Sequence, residues 1–193
     1  MSNKAEIRNL SSVVLSDDWS VLTKHTFELK KRDGTWEQQI RQTYDRGHGA
    51  AILPYDPVRK SVLLVRQFRM PAHVTGHHET LIEACAGLLD DLDPLSAIAK
   101  EAEEELGYHI HDTRQLFDIY MSPGSVTERL HLFTGTYSTA DKVSDGGGAA
   151  DEGEDIEVME ITLAEAMAMV ADGRIIDAKT VILIQALQLS AAG

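Results

Sequence analysis

Between Gly87 and Tyr108 the chain reads GLLDDLDPLSAIAKEAEEELGY, a segment that leaves room for little except a strand, a loop and a short acidic helix. Asp93 suits an N-cap, Pro94 the first helical position, and Gly107 the left-handed residue just past the end. On a helical wheel at ~100° per residue from Leu95, the residues Ile98, Ala99, Ala102 and Leu106 all fall within ~60° of Leu95. Glu104, Glu101 and Glu105 then fall at ~180°, ~240° and ~280°, clustered beside that apolar stripe, with Glu103 on the other flank. Like charges three and four residues apart repel, and carboxylates near a helix C-terminus also oppose the macrodipole. A hard divalent cation with oxygen ligands would offset both costs. Read from the helix alone, a cation site and a solvated acidic face stand level. The preceding Thr80-Leu-Ile-Glu-Ala-Cys-Ala86 predicts a buried strand entering a tight glycine turn.

Along the rest of the chain strands come first and helices last. Trp19 to Lys31 and Thr35 to Tyr44 flank Arg32-Asp33-Gly34, which reads as a hairpin turn. Gly49 to Tyr55 and Ser61 to Arg69 are apolar strands separated by Asp56-Pro57, and further strands are expected near Leu116 to Met121, Val126 to Tyr137 and Ile156 to Ile161. Residues Ser138 to Gly153, with Gly146-Gly147-Gly148, read as a flexible acidic loop. Leu163 to Asp172 and Lys179 to Leu189 read as helices. Mixed strands around one core with few helices predict an α/β fold arranged as an α/β/α sandwich.

Composition narrows the function classes. With 43% hydrophobic side chains in 193 residues, the chain can build a sizeable core. Lys and Arg total 18 against 31 Asp and Glu, a formal charge of −13, which argues against a nucleic-acid or anionic-membrane partner. No apolar run approaches the ~20 residues of a membrane span, and the N-terminus shows no secretory apolar region. A single cysteine, Cys85, fits a reducing cytoplasm; in its apolar strand it reads as a buried packing residue.

Gly87 followed by Lys100-Glu-Ala-Glu-Glu-Glu-Leu-Gly-Tyr108 resembles a Nudix box, the strand–loop–helix motif of hydrolases acting on nucleoside diphosphates linked to another moiety. The chain departs from the family pattern in three places: Asp93 stands for Glu, Lys100 stands for Arg, and the interval before Lys100 is one residue short. Lys100 keeps the charge but not the planar fork of Arg. Beyond residues 87–108, Tyr44-Asp-Arg-Gly-His-Gly-Ala50, Val65-Arg-Gln-Phe-Arg69, Leu81-Ile-Glu-Ala-Cys-Ala-Gly-Leu-Leu-Asp90, Tyr120-Met-Ser-Pro-Gly124 and Glu154-Asp-Ile-Glu157 are similar to the GDP-mannose pyrophosphatase branch of the ADP-ribose pyrophosphatase-like Nudix enzymes. The resemblance runs from about Leu15 to about Leu189.

It implies residues 1–45 as an N-terminal β-strand dimerisation segment and 46–193 as a Nudix hydrolase domain, in a homodimer whose N-terminal antiparallel strands swap to the partner. It implies magnesium, with manganese as a substitute, and hydrolysis of GDP-mannose to GMP and mannose 1-phosphate. The implied metal ligands are the Ala86 carbonyl, Glu101, Glu105 and Glu154, with Glu104 joining directly or through water. Glu104, Glu105 and Glu154 are the implied catalytic carboxylates, and Asp151, Glu152 and Asp155 compete with Glu154 for the loop position. Triple glycine gives that loop freedom to close over substrate, or makes it a slack connector.

Implied substrate contacts are Trp19, Arg41, Gln42, Arg69, Ala86, Gly87, Glu105, Glu128, Glu154 and Lys179. Arg69 suits a phosphate because guanidinium matches its geometry, and Arg66 reads as structural. Trp19 either stacks on a base or packs at an interface; Arg41 and Gln42 contact substrate across the dimer. Glu83 reads as a structural carboxylate holding loop amides. The eight histidines, His77 and His78 among them, read as surface or packing residues. Two further functions stay open: an ADP-ribose or other ADP-sugar pyrophosphatase, and a non-catalytic nucleotide sensor, against which the intact glutamates argue.

Overall fold

The computed structural model describes residues 4–148 and 153–191, so Asp151 and Glu152 lie outside the described residues. The chain divides into two compact units, Met1–Gly47 with Tyr120–Glu128, and His48–Ile119 with Arg129–Gly193.

The first unit is built on an antiparallel meander of β1 (Ile7–Asp17), β2 (Val21–Lys30) and β3 (Trp36–Asp45). β2 and β3 pair in unbroken register from Val21↔Asp45 to Lys30↔Trp36, closed by the expected turn, where Gly34 takes φ 86°. β1 was not expected from the sequence. Its register slips between Arg8 and Ser11 and again between Val14 and Ser16, and such bulges erase the period-two alternation that marks a strand. Every residue of β1 is exposed, including Ile7, Leu10, Val13 and Val14. Trp19, expected to begin a strand, lies instead in the bend between β1 and β2.

The second unit holds a mixed seven-stranded sheet. Its main path is β10 (Glu157–Thr162), β5 (Ser61–Gln67), β4 (Gly49–Asp56), β9 (Arg129–Thr136) and β8 (His111–Tyr120). β4 and β9 run parallel, while β4–β5 and β5–β10 are antiparallel. β4 and β5 are central and buried almost throughout, which is why both read as continuous apolar runs. Ala50 and Ile52 of β4 join a core cluster with Ile98, Ala102 and Leu106 of the box helix. Ala51 and Leu53 alternate to the other face, are equally buried, and lie on the side covered by α3 (Leu163–Ala171) and α4 (Ala178–Ala191). The expected α/β architecture with a mixed sheet, helices on both faces, is the one adopted.

Three local expectations fail. The single strand before the box is two: β6 (Leu81–Glu83) pairs with β5, and β7 (Cys85–Leu88) pairs with β4, the break falling at Ala84. Gly87 is therefore not in a turn but within β7, opposite Ala50; the turn follows at Asp90, with φ 47°. A short helix, α1 (Met70–Val74), follows the strand read to Arg69, in a segment given no element from the sequence, and contains Pro71 in its first turn. The loop after β9 is not slack between Ser138 and Gly148: Ser138 and Asp141 cap each other's backbone, and His111 Nε2 donates to Asp141 at 2.9 Å. Among the described residues no helix is long and apolar enough to cross a membrane.

Candidate active site

The box helix begins as expected. Asp93 accepts hydrogen bonds from the amides of Leu95 at 3.1 Å and Ser96 at 3.2 Å, and α2 runs Pro94–Glu101. It then widens into a π-helical turn, Ala102–Leu106, before Gly107 stops it at φ 75°, ψ 27°. A regular wheel fails across that change of pitch. Leu95, assigned to the apolar stripe, is 48% exposed, whereas Glu105, assigned to its edge, is only 1% exposed. The π turn rotates one carboxylate of the acidic cluster inward.

Glu105 accepts from the Ala86 amide at 3.2 Å and from the Cys85 thiol. Burial, reinforced by the nearby charges of Glu101 and Glu154, pushes its carboxyl up to about 7 against the opposing pull of those two donors. Burial, with the Glu105 charge behind it, also raises the Cys85 thiol, so this cysteine is a packed donor and no nucleophile.

Two glycines make room for the flanking glutamates. A Cβ built at Gly87 would overlap the Glu101 carboxylate, and one at Gly148 would overlap that of Glu154. The stretch Gly146–Gly148, all at positive φ, docks on the end of the box helix: the Gly147 amide donates to the Glu105 carbonyl at 2.9 Å and that of Gly148 to the Glu104 carbonyl at 3.1 Å. These bonds satisfy carbonyls left over by the helix end. The Ile156 amide returns to the Gly147 carbonyl at 3.3 Å, which fixes the chain on the far side of Glu154. Asp155, the described competitor, is exposed, whereas Glu154 is half-buried.

The remaining box acids have basic partners. Glu104 is ion-paired with Lys100 at 3.0 Å, one turn back, and Glu103 accepts a hydrogen bond from the His109 ring at 2.6 Å. Lys100 therefore holds the glutamate four residues on.

Beside the carboxylates sits a basic pair. Arg69 makes a two-pronged contact with Glu83, at 2.8 and 3.3 Å, and Lys179 contacts the same carboxylate as well as Asp177 at 3.1 Å. Burial works against the Arg69 charge, but Glu83, Glu105 and Asp177 together hold it above its ordinary value. Arg66 pairs across strands with Glu157 at 2.8 Å, the structural part expected of it. Sequence reasoning missed Asp177 and Thr180, whose hydroxyl donates to Asp177 at 2.6 Å and accepts from the Ala84 amide at 2.7 Å. A lone Asp before a helix and a Thr in its first turn signal only an N-terminus, so nothing in the chain marked them.

Trp19, Arg41, Gln42 and Glu128 all belong to the first unit. Trp19 is 87% exposed, Arg41 and Gln42 line a cavity of about 750 Å³ within that unit, and Glu128 pairs with Arg46 at 3.6 Å.

The donor set fits a hard cation in kind: Glu101, Glu105 and Glu154 supply three carboxylates, and the charges of Glu101 and Glu154 add to burial in raising the proton affinity of Glu105. A cation is the group that removes that repulsion. Among the described residues no three such side chains are already gathered at ligand distances, so convergence needs rotation of the partly exposed Glu101 and Glu154.

Comparison with known proteins gives the family. The family model for the GDP-mannose pyrophosphatase NudK N-terminal domain matches residues 6–44, and that for the NUDIX domain matches residues 45–182. The chain is similar to the GDP-mannose pyrophosphatase of Pectobacterium atrosepticum, 51% identical over 89% of each protein. It is 49% identical to that of Yersinia enterocolitica over 95% of this chain and 96% of the relative, and 48% identical to that of Klebsiella pneumoniae over 95% and 92%. A solved structure, an ADP compounds hydrolase, shares the fold with a TM-score of 0.74 at 20% identity, covering 99% of this chain and 97% of that one. Nudix hydrolases generally use divalent metal ions, and the carboxylate cluster sits on the segment where the box was read. With the NUDIX match covering most of the sequence and relatives near half identical along nearly all of it, this chain belongs to the Nudix hydrolase family.

Proposed function

We propose that this enzyme hydrolyses the pyrophosphate bond of GDP-mannose, giving GMP and mannose 1-phosphate, with magnesium as its cation. The observation that carries the reading is the buried Glu105 flanked by Glu101 and Glu154, each seated where a glycine has left space. The relatives' shared name supports the choice of substrate. Glu101, Glu105, Glu154 and the Ala86 carbonyl would hold the metal, which when bound neutralises phosphate charge and acidifies a bound water. Glu154, half-buried and on the loop side, is suited to accept a proton from the attacking water. Glu104, kept in place by Lys100, stands ready to orient a water at the same helix end. Arg69 and Lys179 would bind the phosphates, where fixed N–H donors meet the charge spread over their oxygens. Water adds across the P–O–P link, one fragment taking the hydroxyl and the other the proton.

Residues 1–45, which make up most of the first unit, we read as the dimerisation segment, ahead of the hydrolase domain at 46–193. The support is its exposed apolar strand β1, since Ile7, Leu10, Val13 and Val14 at 51% exposure or more on one long strand invite a partner chain. In that dimer Trp19, Arg41, Gln42 and Glu128 would supply contacts to the nucleotide. The single reduced Cys85 and the bacterial relatives support a cytoplasmic site of action.

Turnover of GDP-mannose and ADP-ribose, measured side by side with magnesium, tests the reading. We expect GDP-mannose to be preferred; comparable rates on ADP-ribose would replace it with an ADP-sugar pyrophosphatase, and binding without turnover would replace it with a sensor.

A further inference from the structure

We propose that Glu83 is a positioning residue that locks the Arg69 guanidinium and the Lys179 ammonium into one cationic clamp for the substrate's phosphates, an inference that rests on the hydrolase reading above. Glu83 ends β6, just before the strand break that leads to Ala86 and Gly87. Its side chain is 3% exposed, and both oxygens are used: Arg69 Nε lies 2.8 Å from Oε1, Arg69 Nη2 lies 3.3 Å from Oε2, and Lys179 Nζ shares Oε2. Three separate segments meet on this carboxylate: the β5–α1 junction, β6 and the first turn of α4.

A second tie fixes the register of that meeting. Thr180 accepts from the Ala84 amide at 2.7 Å and donates to Asp177, which also holds Lys179 at 3.1 Å. Lys179 is thereby pinned against the residue next to the strand break rather than swinging on four methylenes.

A carboxylate serving the fold alone needs one cation, and Glu83 takes two. The exposure is graded in a way a purely structural pair would not require: Lys179 is 10% exposed, while Arg69 is 40% exposed. Guanidinium offers five N–H donors and ammonium three, so each cation keeps donors beyond those given to Glu83 and Asp177. What Glu83 contributes is rigidity, removing the rotamer freedom that two long side chains would otherwise lose on binding a phosphate.

Glu83→Gln tests this. Titration of GDP in the presence of magnesium is expected to weaken by about tenfold or more, with magnesium affinity itself kept within about twofold, because the carboxylates of the box helix are untouched. For GDP-mannose the KM should rise more than kcat falls. In a Lys179→Met background the same substitution should cost much less, since a clamp already missing one arm cannot be loosened as far. Unchanged GDP affinity in folded Glu83→Gln protein would overturn the proposal, as would losses that simply multiply in the double variant. If Glu83→Gln fails to fold, Thr180→Val, which removes the hydroxyl's bonds to the Ala84 amide and to Asp177 while leaving Glu83 and both cations in place, carries the same expectation of weaker GDP binding, and an unchanged affinity there overturns it equally. Absence of GDP-mannose turnover in the wild type would overturn the functional reading while the GDP titrations still decide the clamp.

Discussion

The Gly147 amide donates to the Glu105 carbonyl at 2.9 Å, so the loop that leads to Glu154 is bonded to the very residue whose side chain lies at the centre of the acidic site. One backbone contact thus couples two carboxylates that are far apart in sequence. Because helix-end carbonyls need donors in any case, the docking also relieves the cost of ending a helix in a π turn.

Gly148→Ala should disable that coupling. The added Cβ would overlap Glu154, and φ at this position is +80°, where a side chain is strained. We expect the fold to survive, with a loss of about 1 kcal/mol, and turnover to fall by about tenfold to a hundredfold. Steady-state kinetics beside thermal melting would check both halves; full activity would remove Glu154 from the site.

At Gly87 the consequence is milder. A methyl there meets the flexible end of Glu101, so Gly87→Ala should fold normally yet push that carboxylate out of its seat. Magnesium affinity, read by calorimetry, should weaken by about tenfold, with little change in melting temperature.

Glu105→Gln should abolish measurable turnover, a loss of about two to three orders of magnitude, while circular dichroism stays unchanged. Near-normal activity would exclude Glu105 from metal binding.

The raised Glu105 carboxyl also predicts a pH dependence of stability in chelator-treated protein. Its proton is held more tightly folded, at about 7, than unfolded, at 4.5. Its contribution is therefore fully present below about pH 4.5 and is lost as pH rises through about 7, a change of about 3 kcal/mol. Denaturant titrations from pH 5 to pH 8 should show that decline, and Glu105→Gln should flatten it.

Replacing Val13 and Val14 with Glu, on the exposed β1, should shift the protein to monomers in sedimentation if that strand is the dimer contact. A wild-type protein that already sediments as a monomer would sink the dimer assignment.

Much was legible in the chain because it was written locally. Asp93, Pro94 and Gly107 bound the box helix through their own backbone preferences, and the apolar runs of β4 and β5 declared themselves because central strands are buried on both faces. The hairpin at Gly34 followed from turn chemistry. What the sequence could not yield depended on partners distant along the chain. β1 hid because bulges scramble its alternation, and the strand before the box broke at Ala84 because β4 and β5 each claim one half of it. The inward turn of Glu105 required a change of helical pitch that no fixed-angle wheel contains. Glu83, Lys179 and Thr180 meet only because α4 returns to the edge of β6 after ninety-six residues, a closure set by packing and invisible to any local pattern. Local spacing therefore marked the acids of the box helix and the family resemblance added Glu154, while tertiary contact decided which of them is buried, which are seated by glycine, and which cations stand beside them.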